Sequence, residues 1–456
     1  MTQLQLLRRS LVQKNAQFRH LLINASPPAI LMIGYLTLIL LGAGLLKLDM
    51  ATVSSITWLD ALFTATSAVT VTGLAVVDTG TGFSVFGQVV IALLIQAGGL
   101  GFMTFSILTI LNLGKRLGVR HQLVALEALN QTSFNSIKDV SKAVIVFSLA
   151  IEAIGFLLLV LCWVDEYSFS KAAYHAFFYT ISAFNNAGFA LSADGLTAYQ
   201  GDIPVNLIIT ALFIIGGIGF VVLQDVWKKC GWKKLQVYTK VMISSTVILN
   251  SLSWLLVWLF ERKNPATIGG FSLSDQLTAS WFQAVTPRTA GFNTLPIESL
   301  TDSTSLLMLI LMFIGGGSLS TASGIKLGTF VVLLITTYSF LMRRDEVTIM
   351  RRSIPLNMIM KSFAVTVISM MLVLLGSLML SAIQEAPLLD ILFEVVSALG
   401  TVGLSRGLTG DLSVAGQLLI MLLMFVGRLG PLTVAYVIAI PKQRRIKYPS
   451  IDIQIG

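Results

Sequence analysis

Eight stretches of this chain are apolar for about 20 residues or more, near 27–48, 86–113, 142–164, 205–227, 237–260, 306–341, 358–384 and 414–440. A run of roughly 20 mostly apolar residues is what a helix needs to cross a bilayer. Charged residues make up 12% of the chain, about half the share found in ordinary soluble domains. Too little charge remains to coat water-facing domains, so the sequence reads as an all-α integral membrane protein with eight transmembrane helices. Four shorter apolar stretches lie between the long ones, near 58–70, 172–184, 276–287 and 389–399. These are too short to cross and fit re-entrant half-helices. The two cysteines, Cys162 and Cys230, are too few for a disulfide framework and are expected to be inert packing thiols.

The cationic residues orient the chain. Of 31 Lys and Arg, 23 flank the spans on one side. They are Arg8, Arg9, Lys14 and Arg19, then Lys115, Arg116, Arg120, Lys138 and Lys142, then Lys228, Lys229, Lys233, Lys234 and Lys240. Arg343, Arg344, Arg351, Arg352 and Lys361 follow, and the tail carries Lys442, Arg444, Arg445 and Lys447. Positive-inside logic puts that side and both termini in the cytoplasm of a plasma-membrane protein. The net charge of +9 is therefore a topology signal, and no nucleic-acid partner is expected. No cleavable signal peptide is evident, because the first apolar run is long enough to span.

The short stretches align on one glycine each: Gly73, Gly188, Gly291 and Gly403, spaced 115, 103 and 112 residues apart. Ten residues before each stands an aromatic: Phe63, Phe178, Trp281 and Phe393. A second glycine cluster follows in the next span, at Gly98-Gly99, Gly216-Gly217, Gly315-Gly316-Gly317 and Gly427-Arg428. Two aligned features in four places predict four parallel span–pore helix–span repeats in pseudo-fourfold arrangement. Their bounds are 27–113, 114–227, 228–341 and 342–440, between a cytoplasmic N-terminus 1–26 and a cytoplasmic tail 441–456. Half-helices entering from outside aim their carbonyl ends at the axis. Irregular backbone at that depth is tolerated only inside protein or along a water path. Four such loops can replace the hydration shell of a monovalent cation with carbonyls. For the second cluster, close helix packing is the leading reading.

The chain resembles the membrane subunits of Ktr-type potassium uptake systems, in the Trk/Ktr/HKT superfamily. The resemblance rests on Ala-Val-Thr-Val-Thr-Gly73, Ile-Ser-Ala-Phe-Asn185-Asn186-Ala-Gly188-Phe, Ala-Val-Thr-Pro-Arg288-Thr-Ala-Gly291-Phe and Gly427-Arg428-Leu-Gly430-Pro431. It implies a K⁺ selectivity filter at Val71, Thr72 and Gly73, Asn186, Ala187 and Gly188, Thr289, Ala290 and Gly291, and Thr401, Val402 and Gly403. It also implies a homodimer, a cytosolic nucleotide-binding ring subunit as regulatory partner, and K⁺, with Na⁺ as a second ion, in place of a covalent cofactor. Arg288 lies three residues before a filter glycine and is expected to brace its half-helix from behind.

The run 306–341 is too long for one straight span, and its middle, from Gly315 through Gly316, Gly317 and Ser318 to Gly324, is made of small residues. Alone among the four repeats it reads as a broken helix, and the loop 315–324 is expected to gate the path below the filter. Arg428 occupies the slot of Gly99, Gly217 and Gly316, where it reads as an electrostatic barrier that also donates to loop carbonyls. An ion pair, with Glu152 as the nearest intramembrane acid, is the alternative. Lys326, just below the loop, is either part of the gate or a snorkelling residue. A proton- or sodium-coupled secondary transporter is the rival reading. It would need intramembrane carboxylates, and Glu152 is the one clear candidate. No His-Glu-x-x-His or Gly-x-Ser-x-Gly occurs, so enzymatic activity is not expected.

Overall fold

Backbone without water around it must satisfy its N–H and C=O groups internally, and helices do this within one segment. The computed structural model describes residues 27–114 and 134–430, and these are almost wholly helical. In chain order the main helices are α1 (Pro27–Leu46), α2 (Trp58–Thr70), α3 (Val85–Gly114), α4 (Phe134–Trp163), α5 (Phe169–Phe184), α6 (Ile203–Ile218) and α7 (Phe220–Lys228). They continue as α8 (Val237–Glu261), α9 (Leu273–Val285), α10 (Asp302–Phe313), α11 (Leu327–Leu341), α12 (Leu356–Ile383), α13 (Leu388–Gly400) and α14 (Val414–Leu429). Two-residue strands β1 (Thr348–Ile349) and β2 (Arg352–Ser353) pair antiparallel in the turn between α11 and α12.

Polar residues set where helices begin. Thr57, Asp202, Ser272, Thr301 and Ser413 each accept a hydrogen bond from the backbone N–H three residues on, at the starts of α2, α6, α9, α10 and α14. Thr57 and Asp60 complete a reciprocal capping box. The short helices α2, α5, α9 and α13, 13 to 16 residues long, bury most of their second halves. Each packs on the long helix before it, and α14 packs on α2, so the last described helix closes onto the first short one.

Among the described residues, α4 (over Val144–Trp163), α8 and α12 are each long and apolar enough to cross a membrane, and α6 with α7 makes a fourth if counted as one span. The other apolar segments with described side chains, Leu31–Leu46, Val85–Leu100, Asp302–Phe313, Leu327–Leu341 and Val414–Leu429, are shorter. The run 306–341 divides into α10 and α11, and residues 431–440 of the last run lie outside the described residues. So do the basic residues of 1–26, 115–133 and 431–456.

Two expectations need correction. The run 306–341 is not alone in being broken. The run 205–227 bends by 96° between α6 and α7, at Gly219, whose φ of 110° suits glycine and whose neighbour Phe220 donates its N–H to Leu319 O at 2.9 Å. The thiols divide: Cys162 is half-buried and packs against the apolar cluster around Trp163 as expected, whereas Cys230 is exposed and does not.

Candidate functional site: a ring of four glycine loops over a polar loop

Within four residues of each short helix's end stands a non-glycine residue in the left-handed region: Val71 (φ 56°), Asn186 (φ 60°), Thr289 (φ 69°) and Thr401 (φ 48°). Such conformations cost about 1–3 kcal/mol each and persist only where the surroundings hold them. Hydroxyls inside the helix ends supply that hold. Ser67 Oγ accepts from the Gly73 N–H at 3.0 Å, and Ser397 Oγ accepts from the Gly403 N–H at 3.1 Å. In the other two loops the hydroxyl donates onward, from Ser182 to Phe189 O at 2.8 Å and from Thr286 to Phe292 O at 2.6 Å. Two residues after each left-handed residue the signature glycine is left-handed again: Gly73, Gly188, Gly291 and Gly403.

The four glycines close a ring. A Cβ on Gly73 would strike Ala187 O, one on Gly188 would meet Ala290 O at 3.0 Å, one on Gly291 would strike Val402 O, and one on Gly403 would strike Thr72 O. Each loop thus presents its middle carbonyl to the glycine of a neighbouring loop, and the cycle returns to its start. The twelve residues expected at the filter are all brought together here. The helix C-termini behind them add the negative ends of their dipoles.

The second glycine clusters sit behind the ring. A Cβ on Gly98 would strike Val69 O, on Gly216 Phe184 O and on Gly427 Leu399 O, each the carbonyl four residues before a ring glycine. Gly315 breaks the pattern, since its Cβ would strike Ser323 O of its own loop. Residues 314–326 between α10 and α11 form that loop. Gly315 N–H donates to Ile325 O at 2.9 Å and Leu327 N–H to Gly316 O at 2.9 Å, so the loop pinches shut at its base. Gly317 N–H donates to Gly217 O (2.7 Å) and Thr321 N–H to Gly216 O (3.2 Å), which ties the loop to the end of α6. Thr321 Oγ1 donates to Asn186 Oδ1 at 2.8 Å, a direct link from the loop to the ring.

Arg428 is buried at the end of α14. Its guanidinium donates to Thr321 O, to Ser323 Oγ at 3.1 Å and to Gly98 O at 2.8 Å. Among the described residues the ion pairs are Lys229–Asp225 and Arg406–Asp390, so Arg428 meets carbonyls and a hydroxyl and not Glu152. Lys326 is partly buried and donates from Nζ to Ala322 O at 2.7 Å. Gly324, in the loop, is left-handed (φ 67°). Arg288 donates to Asn250 Oδ1 of α8 at 2.9 Å.

Glu152 accepts both Gln96 Nε2 contacts at 3.0 Å, and Asn185, the residue before Asn186, donates to Gln96 Oε1 at 2.7 Å. It is not the sole buried carboxylate near the ring. Glu394 of α13 is fully buried and accepts from Thr409 Oγ1 at 2.5 Å and Ser405 Oγ at 2.8 Å. The sequence reading passed over it, although an acid inside a 13-residue apolar stretch was the available signal.

Residues 13–448 match the TrkH family, described as cation transport protein. The chain is 48% identical over 434 residues to the Ktr system potassium uptake protein B of Bacillus subtilis, covering 95% of this chain and 98% of that one. It is 40% identical to the protein of the same name from Vibrio alginolyticus, over 94% and 95% of the two chains. Identity to the potassium/sodium uptake protein NtpJ of Enterococcus hirae is 33%, over 94% and 97%. The crystal structure of the potassium transporter TrkH from Vibrio parahaemolyticus shares the fold, with a TM-score of 0.74 at 19% identity over 91% of this chain and 86% of that one. A helical chain with several membrane-length apolar helices and this full-length similarity belongs to the TrkH family of cation transport proteins.

Proposed function

We propose that the chain carries K⁺ into the cell across the plasma membrane, through a filter made by the ring of Gly73, Gly188, Gly291 and Gly403. The observation that carries this reading is the closed cycle in which Thr72, Ala187, Ala290 and Val402 each offer a carbonyl to a neighbouring loop's glycine. Four carbonyl dipoles gathered in one ring suit a desolvated monovalent cation. Eight spans with four re-entrant half-helices, arranged as four parallel repeats with both termini cytoplasmic, give the frame that this reading needs. The loop 315–324, with Arg428 and Lys326, is the gate beneath. The relatives named as protein B of a Ktr system support a separate regulatory subunit, taken here as a cytosolic nucleotide-binding ring acting on a homodimer of this chain. NtpJ, named for both ions, supports Na⁺ as a second ion.

The test is flux from liposomes holding the purified chain. K⁺ flux is expected without a Na⁺ or pH gradient. Replacing the ring glycines with serine places a side chain on a left-handed backbone, about 1–2 kcal/mol of strain, and against a neighbouring carbonyl. K⁺ over Na⁺ preference is expected to fall, because a displaced carbonyl weakens the coordination that separates the two ions. Unchanged preference in all four variants removes the filter assignment. A coupled transporter is the second reading, favoured by Glu152 and Glu394 beside loops 2 and 4. It gains if flux stops whenever the Na⁺ or pH gradient is collapsed.

A further inference from the structure

The bend at Gly219 sets the nine-residue helix α7 across the end of α6 at 96°. With α6 along the membrane normal, α7 lies almost in the membrane plane for about 14 Å. Its two faces differ. Phe220, Val222 and Asp225 point inward and are buried. Asp225 accepts from the Gln236 N–H (2.8 Å), Thr239 Oγ1 (2.7 Å) and Lys229 Nζ (2.9 Å), which clamps α7 to the start of α8.

The outward face carries Val226, Trp227 and Lys228, and the next turn adds Trp232, Lys233 and Lys234, all exposed. Trp227 is 75% exposed, yet its ring stands edge-on to Phe147 of α4 at 5.7 Å. The neighbours of Phe147, Val146 and Leu149, are themselves exposed on that apolar helix, which is the surface hydrocarbon would meet. Trp227 therefore stands at the rim of a lipid-facing wall. Indoles favour the headgroup level, and a lysine beside a span draws anionic headgroups by about fivefold each. An acidic protein would also satisfy the lysines, but it gives no reason for Val226 and Trp227 to lie along the lipid-facing side of α4.

We propose that the outward face of α7 and the turn after it bind anionic lipid headgroups, and that α7 is a lever passing this contact to the loop 314–326. The lever consists of bonds already described. Phe220 N–H holds Leu319 O, while the carbonyls of Gly216 and Gly217 hold Thr321 and Gly317. Six residues, just under two helical turns or about 9 Å, separate Phe220 at the loop from Val226 on the lipid face. The lever half rests on the proposed gating role of that loop; the lipid half does not.

The native thiol of Cys230 is exposed just past α7, so the full chain with Cys162→Ser can carry a bimane there. The probes are vesicles of phosphatidylcholine alone, or of equal parts phosphatidylcholine and phosphatidylglycerol, with a doxyl quencher on one lipid or the other. Quenching by the anionic lipid is expected to exceed quenching by the neutral one severalfold. The joint change Lys228→Gln, Lys233→Gln and Lys234→Gln is expected to abolish that excess, and Trp227→Ala to shift the bimane emission red. Equal quenching by both lipids, or an excess unchanged in the triple variant, overturns the lipid surface. So does a triple variant that keeps the excess and loses its response to a cytosolic protein. K⁺ efflux from the same vesicles is expected to differ severalfold between the two compositions, and the difference to vanish in the triple variant. A quenching excess without any flux difference overturns the lever. Absence of flux from every vesicle counts against the transport reading, while the quenching ratio still decides the lipid surface.

Discussion

At the residue scale, Arg428 is the side chain whose placement is hardest to explain without a role in the path. A guanidinium taken from water is costly unless paired, and among the described residues it has no carboxylate partner. Its donors instead hold Thr321 O and Ser323 Oγ of the loop on one side and Gly98 O behind the ring on the other. It joins the loop to Gly98 of α3, and on the path proposed above it would set a positive charge beside a passing cation. At 5 Å and an effective dielectric near 20 that repulsion is about 3 kcal/mol, roughly a hundredfold in rate. Arg428→Gln is expected to raise basal K⁺ flux from liposomes and to weaken any response to the regulatory subunit. Lower flux in a folded Arg428→Gln protein would assign the residue to structure alone.

Elements show how a break in a helix is used. Gly219 separates α6 from α7 with φ 110° and ψ 132°, and a Cβ there would stand 2.6 Å from Ser318 O. Gly219→Ala is therefore expected to cost about 1–3 kcal/mol, to lower the melting temperature, and to loosen the loop so that basal flux rises. The control is Gly217→Ala, whose Cβ would find nothing nearer than Asn186 Nδ2 at 3.4 Å; near-normal stability and flux are expected. Equal behaviour of the two variants would mean that the bend does not hold the loop. The sequence announced the break at 315–324 because ten mostly small residues interrupt an apolar run, whereas the residues on either side of Gly219, Ile218 and then Phe220 to Leu223, continue the apolar run without a polar interruption. The bend there has a tertiary cause, the docking of Phe220 on Leu319. The short helices were legible to within a few residues, because length, apolarity and the aligned glycines all reported them. The burial of Glu394 was not, because Ser405 and Thr409, 11 and 15 residues on and past the loop, fold back to supply its hydrogen bonds. The closed ring of carbonyls likewise depends on contacts between loops more than 100 residues apart, which spacing alone suggests and only coordinates display.

For the whole molecule, the proposed uptake direction and the lipid lever both require that one face be cytoplasmic. Thr57, Ser272 and Ser413 cap helices that begin on the same side as the ring's returning chain, while Lys228, Lys233 and Lys234 lie at the other end of α6. Two positions report the two sides. Cys230 is exposed among the lysines, and Asp302, at the start of α10, is exposed on the opposite side. In intact cells a membrane-impermeant thiol reagent is expected to spare Cys230 and to modify it once the membrane is permeabilised. In a protein with Cys230→Ser and Asp302→Cys the reagent is expected to react from outside without permeabilisation. The half-buried Cys162 is changed to serine in both, so that each signal has one source. The same pattern at both positions, or reaction of Cys230 in intact cells, would invert or break the topology. The cluster of basic residues would then have to be explained by a binding partner, since positive-inside sorting acts only on charges that stay in the cytoplasm.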